Sequence, residues 1–186
     1  MKEIQCIQGS PDMRPIPGFP DYKATADGRI WSESRITQRQ GKPMRVGGKF
    51  MRAQLLLGYP RMRVVAGGKR QSVFVHNLVA SAFHGEAAAG FIVDHINGKR
   101  ADNRPENLRF ATASQNTANS VKRSDSRNRF KGVQRINGGR YYAARIQKDG
   151  KRWHVGCFAT EIEAAEAYDK AAKEQFKEFA KTNFTP

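Results

Sequence analysis

Between Val93 and Asn116 the chain reads VDHINGKRADNRPENLRFATASQN, with a carboxylate beside an imidazole at Asp94 and His95, then Asp102, Asn103, Asn107 and Asn116. An imidazole exchanges a proton near neutral pH. Carboxylate and carboxamide oxygens are the donors that hard divalent cations accept. The same residue types also crowd ordinary turns, because Asn and Asp bond their own backbone and tolerate left-handed conformations. Composition leaves both readings open. The flanking pattern narrows the geometry. Phe91 to Asn97 reads as a strand and Leu108 to Thr112 as a second. Thr112 and Gln115 have the spacing of a capping box, which puts Asn116 in the first turns of a short helix. Strand, loop, strand, helix is the expectation. Adjacent strand residues point to opposite faces, so Asp94 and His95 serve one site only where the strand twists or ends. Asn97-Gly98 reads as a turn, and Asp102 and Asn103 as residues that close the loop.

The whole chain carries 33 Lys and Arg against 17 Asp and Glu, a formal charge of +16 over 186 residues. Spread along the sequence as it is, that excess points to a polyanionic partner. A membrane partner is disfavoured. There is no apolar run of about 18 residues to cross a bilayer and no long basic amphipathic helix to lie on one. The N-terminal segment lacks the apolar core of a secretory signal. Cys6 and Cys157 are too few and too distant for a disulfide framework or a cysteine-based zinc site, which points to a reducing, cytoplasmic setting.

Around the Asp- and Asn-rich stretch the chain is modular. Ile16 to Ser34 reads as short strands about an Asp27-Gly28 turn, followed by a basic, glycine-rich connection, RQGKPMRVGGKF. Two further strands meet at Gly67-Gly68, and Leu78, Val79 and Phe83 mark a short helix. His76 precedes that helix and reads as a packed structural histidine. His84 and His154 are not at ligand spacing with the others. Asn119 to Lys131 has linker composition, with too little apolar surface to fold alone. Beyond it, KGVQRI, RYYAARIQ and RWHVGCF alternate over strand length. Thr160 and Glu163 then cap a helix striped with small residues. The fold class expected is α+β, built of small modules: 14–60, 61–118, a basic linker at 119–129, and 130–184.

The stretch DHING, DN, ENLR, QN resembles the motif of HNH endonucleases of the phage homing type, whose core is a ββα-metal fold. His95, Asn107 and Asn116 match its three named positions, with Asn116 standing where many members have a second His. The resemblance implies a phosphodiester hydrolase acting on double-stranded DNA. In it His95 is the general base that takes a proton from water. Asp94 and Asn116 hold a divalent cation through oxygen. Asn107 fixes the orientation of the imidazole from behind. An oxygen donor at Asn116 argues for magnesium, or manganese, over zinc.

The C-terminal words KGVQRI, YYAARI, WHVGCF, EAAEAYDKAA and TNF resemble the APETALA/ethylene-response-factor DNA-binding domain, a three-stranded sheet packed on one helix. Period-two alternation assigns its faces. Tyr142, Ala144, Ile146, Trp153 and Val155 are expected against the helix. Arg145, Gln147, Arg152 and His154 are expected on the DNA face, with Arg135 and Arg140 near the turn as further contacts. His154 and Arg145 depart from the family's usual residues, so base preference does not carry over. IPGFPDYKATADGRIWS is similar to a modular segment found ahead of phage HNH motifs. Lys122, Arg123, Arg127 and Arg129 in the linker are expected to follow the phosphate backbone. The combined expectation is a monomeric, metal-dependent nuclease that nicks DNA, having one site per chain. The alternative is a non-catalytic DNA-binding regulator that retains the HNH scaffold.

Overall fold

The computed structural model describes residues 12–121 and 128–184. Lys122, Arg123 and Arg127 of the expected linker, and Cys6, lie outside the described residues. Helices and strands alternate with many short sheets, as the α+β expectation requires. By contacts the chain divides into two compact units. The first is Met1–Ala88 with Lys99–Phe110, and the second is Ala89–Gly98 with Ala111–Pro186.

In the first unit, β1 (Met13–Ile16), β2 (Phe19–Thr25) and β3 (Ile30–Ser32) form an antiparallel meander. The segment read as a basic connection is instead a hairpin of β4 (Arg35–Arg39) and β5 (Lys42–Val46), turning at Gln40-Gly41. Its strands are almost wholly exposed, so no apolar alternation announced them. β6 (Lys49–Phe50) returns to pair with β3. A separate three-stranded sheet follows, from β7 (Gln54–Leu56), β8 (Tyr59–Ala66) and β9 (Lys69–Phe74). Helix α1 (Val75–His84) packs Leu78 and Val79, with Val75, against β1, β2 and β8. These residues recur at three- and four-residue spacing, which gives a helix one apolar stripe. The Tyr22 hydroxyl, on β2, accepts from the Val65 amide of β8 at 3.0 Å and ties the two sheets.

One glycine of this unit is obligatory. Gly28 has φ +80°, and a Cβ there would lie 2.5–2.8 Å from backbone atoms of Asn103 and Arg104. The Asp27-Gly28 turn can close on the Asn103 loop only without a side chain.

The second unit holds β10 (Phe91–His95) and α2 (Ala113–Asn119), and β11 (Leu108–Thr112) runs from the first unit into the second directly ahead of α2. The predicted capping box at Thr112 and Gln115 is formed in both directions. Then β12 (Val133–Ile136), β13 (Tyr141–Lys148) and β14 (Lys151–Phe158) make an antiparallel sheet under α3 (Glu161–Phe176). Thr160 and Glu163 cap α3 reciprocally, as the spacing predicts. Ala164, Ala165, Tyr168, Ala172 and Phe176 of α3 close on Val133, Ala144 and Ile146 of the sheet. The small residues bring helix and sheet into close contact. At Gly132, with φ +73°, a Cβ would fall within 2.0 Å of the Tyr168 ring.

Helix α2 is part of this same core through Ala118, and the end of β11 joins it through Ala111. Ser114 Oγ accepts from the Asp149 amide at 2.9 Å at one end of α2. At the other end the Ala118 carbonyl accepts from Lys181 N at 3.1 Å, and Lys131 Nζ donates to the Ala118 and Ser120 carbonyls. A cation on the last carbonyls of a helix satisfies groups that have no intrahelical partner. No helix among the described residues is long and apolar enough to cross a membrane.

Candidate active site and nucleic-acid interface

Strand β10 ends at His95, and that is how two adjacent residues are both taken out of solvent. Asp94 is 3% exposed and His95 4%. A buried carboxylate is costly unless it is hydrogen-bonded. Here the partner is Asn119, the last residue of α2. Its Nδ2 lies 3.0 Å from each oxygen of Asp94 and 2.8 Å from the His95 carbonyl oxygen. One carboxamide therefore fixes both the Asp94 side chain and the backbone that carries His95. Asn119 was not singled out from the sequence. Its signal was its position, three residues after Asn116 on one helix, where residues i and i+3 are neighbours on the same face.

Asn116 is half-buried on that face of α2, and α2 packs on β10. The donor set on this side of the helix is a carboxylate and a carboxamide oxygen. A carboxylate offers about four lone-pair positions, and the Asn119 amide meets both of the Asp94 oxygens. Hard oxygen donors, few in number, suit a magnesium-like ion that keeps most of its shell for water and phosphate. Among the described residues no group of three or more His, Cys, Asp and Glu side chains is placed to hold a metal ion.

Asn107 lies in the first unit, in a 3-10 turn at Pro105–Asn107. It is buried, and its Nδ2 donates to the Asp102 carbonyl oxygen at 2.7 Å. Asp102 itself is held by Arg104, Nε to Oδ1 and Nη2 to Oδ2, each at 2.9 Å. That bidentate pair holds the Arg104 guanidinium above its ordinary pKa, the Asp102 hydrogen bond being the largest cause. The Pro105 carbonyl oxygen of the turn accepts from His84 Nε2 at 2.9 Å. Asp102 thus holds the loop from within, and His84, to which the sequence assigned no such part, ties the turn to α1. His76 is buried, stacked on Phe74 at 15° and 5.4 Å and tilted against Tyr59. This is the packed histidine expected.

On the C-terminal sheet, Arg145 lies opposite His154 and Gln147 opposite Arg152. Directly opposed residues share a face, so these four are grouped as alternation required. The register shifts between Ala144 and Arg145, and the bulge brings Cys157 onto the same face, its Sγ 3.5 Å from His154 Nε2. Arg145 Nη1 also donates to Gln134 Oε1 at 2.8 Å. One expectation needs correction. Trp153 does not pack against α3 and is 59% exposed. It lies opposite Ile146 on β14, an edge strand with a neighbour on one side only. Arg135 is exposed but pairs with Tyr142, so it belongs to the opposite face from Arg145, and its Nε donates to the Gly139 carbonyl at 3.3 Å. Arg140 is exposed beside the turn, and Arg129 is exposed ahead of β12.

The C-terminal Asn183 and Phe184 close this unit. Asp169 of α3 is buried and accepts from Asn183 N at 2.8 Å, Asn183 Nδ2 at 3.0 Å and Phe184 N at 2.9 Å. Asn183 in turn bonds the backbone of Lys131 in both directions, at 2.6 and 3.1 Å. Burial pushes the Lys131 ammonium down to about 8, with Asp169 opposing and Lys181 adding to the shift. The same burial, with the Asp169 charge, pushes the Tyr168 phenol up to about 12.

Residues 73–118, which include every residue of the Asp94 to Asn116 constellation, match the family model described as HNH endonuclease. Two curated relatives extend the likeness beyond the HNH segment. An uncharacterized HNH endonuclease, L560 of Acanthamoeba polyphaga mimivirus, is 34% identical over 126 residues, 68% of this chain and 63% of that protein. The DNA endonuclease I-HmuI of Bacillus phage SP01 is 36% identical over 77 residues, 41% of this chain and 44% of that protein. The chain thus spans less than two thirds of the length of the curated relatives it matches. A solved structure described as DNA binding and cleavage by the HNH homing endonuclease I-HmuI aligns with 83% of this chain and 82% of its own. Its TM-score is 0.46 and its identity 24%.

Proposed function

We propose that the protein is a metal-dependent DNA endonuclease that hydrolyses phosphodiester bonds at the Asp94–His95 site. The observation that carries this reading is the buried Asp94–His95 pair at the end of β10, held by Asn119 inside an HNH segment. In the reaction His95 accepts a proton from water as the water oxygen attacks phosphorus. The new P–O bond forms as the bond to the 3′-oxygen breaks, and the leaving oxygen is protonated from solvent. Asp94 and Asn116 would hold a divalent cation, which when bound supplies charge neutralisation at the phosphate and the departing oxyanion. Asn119 keeps Asp94 and the His95 backbone in place, and Asn107 steadies the loop between the strands. Magnesium is the proposed ion, with manganese able to replace it.

Recognition is assigned to the other end of the same unit. Arg145, Gln147, Arg152 and His154 form a contiguous polar face that a duplex groove would meet. Arg129 and Arg140, together with Lys122, Arg123 and Arg127, supply phosphate contacts. Arg135 is a peripheral phosphate contact, since it does not share the Arg145 face. This is the role the APETALA-like pattern suggests, and the N-terminal module is assigned as its counterpart in the first unit. With one such site per chain, a monomer nicks one strand. Incubating supercoiled plasmid with the protein in magnesium, with a chelator control, tests the proposal. Conversion to open circles in magnesium alone is expected. Intact plasmid in every metal tried, with DNA binding retained, would favour a DNA-binding regulator.

A further inference from the structure

The tip of the β7–β8 hairpin is Leu55-Leu56-Leu57-Gly58. Leu55 is 70% exposed and Leu57 81%. Leu57 and Gly58 form the two-residue loop, with φ +52° and +82°. Such a loop takes Asn or Asp followed by Gly, because both positions need a left-handed backbone that a branched apolar side chain resists. The other non-glycine residues with positive φ among the described residues are Gln40, Asn137, Asp149 and Lys177, all polar. Leu57 alone is apolar, and its exposure brings it little compensating burial. A strained position that the fold does not reward points to function. Arg100 holds it there. Its Nη1 donates to the Leu57 carbonyl oxygen at 2.8 Å, and its guanidinium lies 4.7 Å from the Tyr59 ring.

The surroundings specify the partner. Between Arg35 and Gly85 the chain has ten Lys and Arg and no Asp or Glu. Alternation along β8 puts Arg61 and Arg63 on the face opposite the buried Met62 and Val64. Pairing with β9 adds Arg70 opposite Val65 on that outer face. A second copy of so uniformly basic a surface would be repelled. The fitting partner has an anionic exterior and an apolar interior reached between its stacked elements.

We propose that the Leu55–Leu57 tip is a wedge that inserts between base steps from the minor groove of duplex DNA, while Arg61, Arg63 and Arg70 follow the phosphates. Apolar side chains used in this way unstack a step and bend the duplex. The inference rests on the nuclease reading only in requiring that the protein bind duplex DNA.

The test uses the full chain, the Leu57→Asn variant, an Arg61→Ala/Arg63→Ala variant, and a short linear DNA duplex carrying a fluorophore at each end. Asn is favoured at this turn position, so Leu57→Asn is expected to melt at or above the parent temperature. Its affinity should fall about tenfold with the salt dependence unchanged, since no phosphate contact is lost. The end-to-end shortening of the duplex seen with the parent should disappear. The double Arg variant should show the converse, a shallower salt dependence with the bend retained. If Leu57→Asn binds and bends the duplex as the parent does, the wedge is refuted while DNA binding stands. If Leu57→Asn instead turns a parental dimer into a monomer with bending intact, the tip is a self-association surface and the wedge is again refuted. A parent that does not bind the duplex overturns the wedge and the nuclease reading together.

Discussion

The two ends of the second unit treat polar residues in opposite ways. At β10, Asp94 and His95 are withdrawn from solvent and fixed by one carboxamide, Asn119. On the sheet, Gln147, Arg152 and His154 are exposed, and Arg145 is tied only to Gln134. A proton acceptor and a metal ligand act through placement to within a fraction of an ångström, which buried hydrogen bonds enforce. A groove reader must reach a partner and is better left in water until it does. The difference teaches that charge excess marks the second region but not the first. The proposed chemistry rests on a handful of nearly hidden groups.

The comparison breaks most sharply at His95. Replacing it by Ala is expected to lower single-turnover cleavage by roughly 10²- to 10⁴-fold, the usual worth of a general base. Cleavage at the parental rate would remove His95 from the chemistry. A smaller loss is expected from Asn119→Ala, which strips a buried carboxylate of its donor at a cost of about 1–3 kcal/mol in folding stability. Cleavage should fall with it, and the magnesium concentration needed for half-maximal rate should rise, because Asp94 is no longer held. Asn119→Asp should be worse still, placing a second carboxylate against Asp94. An unchanged magnesium requirement in both variants would reduce Asn119 to a packing residue.

The sheet face sharpens the contrast through salt. Each neutralised phosphate contributes a slope of about −0.9 in log affinity against log salt. The Arg145→Ala/Arg152→Ala variant should bind duplex DNA with a slope shallower by one to two units, at unchanged thermal stability. An unchanged slope would take these arginines out of the interface. The smallest effect concerns Lys131. Its folded value of about 8 lies below the ordinary 10.5, so the unfolded chain holds more protons across that window. Stability contributed by this group therefore rises from about pH 8 toward 10.5, and its burial penalty is fully present below 8. Following the Lys131 Nζ resonance through this range should give a midpoint near 8. A midpoint at the ordinary lysine value would contradict its burial beside Asp169 and Lys181.

Much of this was legible in the sequence because it rests on local rules. The capping boxes at Thr112 and Thr160, the strand at Leu108 to Thr112, and the shared face of Arg145 and Gln147, and of Arg152 and His154, follow from short-range spacing. What escaped has long-range causes. Asn119 resembles a helix-end residue in a polar linker, and its importance depends on a strand 24 residues earlier. The β4–β5 hairpin has no buried face, so no alternation betrays it. The separation of a nuclease module from a C-terminal module misses Lys131, whose ammonium caps α2 from across the expected linker. A chain ended near Lys122 would lose that cap together with the α3 cluster around Ala118. Point substitutions leave that packing intact and are the cleaner probe of the proposed division.

The most direct test of that separation measures cleavage rate and duplex affinity together, in magnesium and on one DNA, for His95→Ala and for Arg145→Ala/Arg152→Ala. The account predicts that the first variant binds like the parent and barely cleaves. The second should bind more weakly, yet cleave at close to the parental rate once the DNA is saturated with protein. A sheet-face variant that remains slow at saturation, or a His95 variant that loses binding in step with cleavage, would contradict the division of labour between the buried pair and the exposed face.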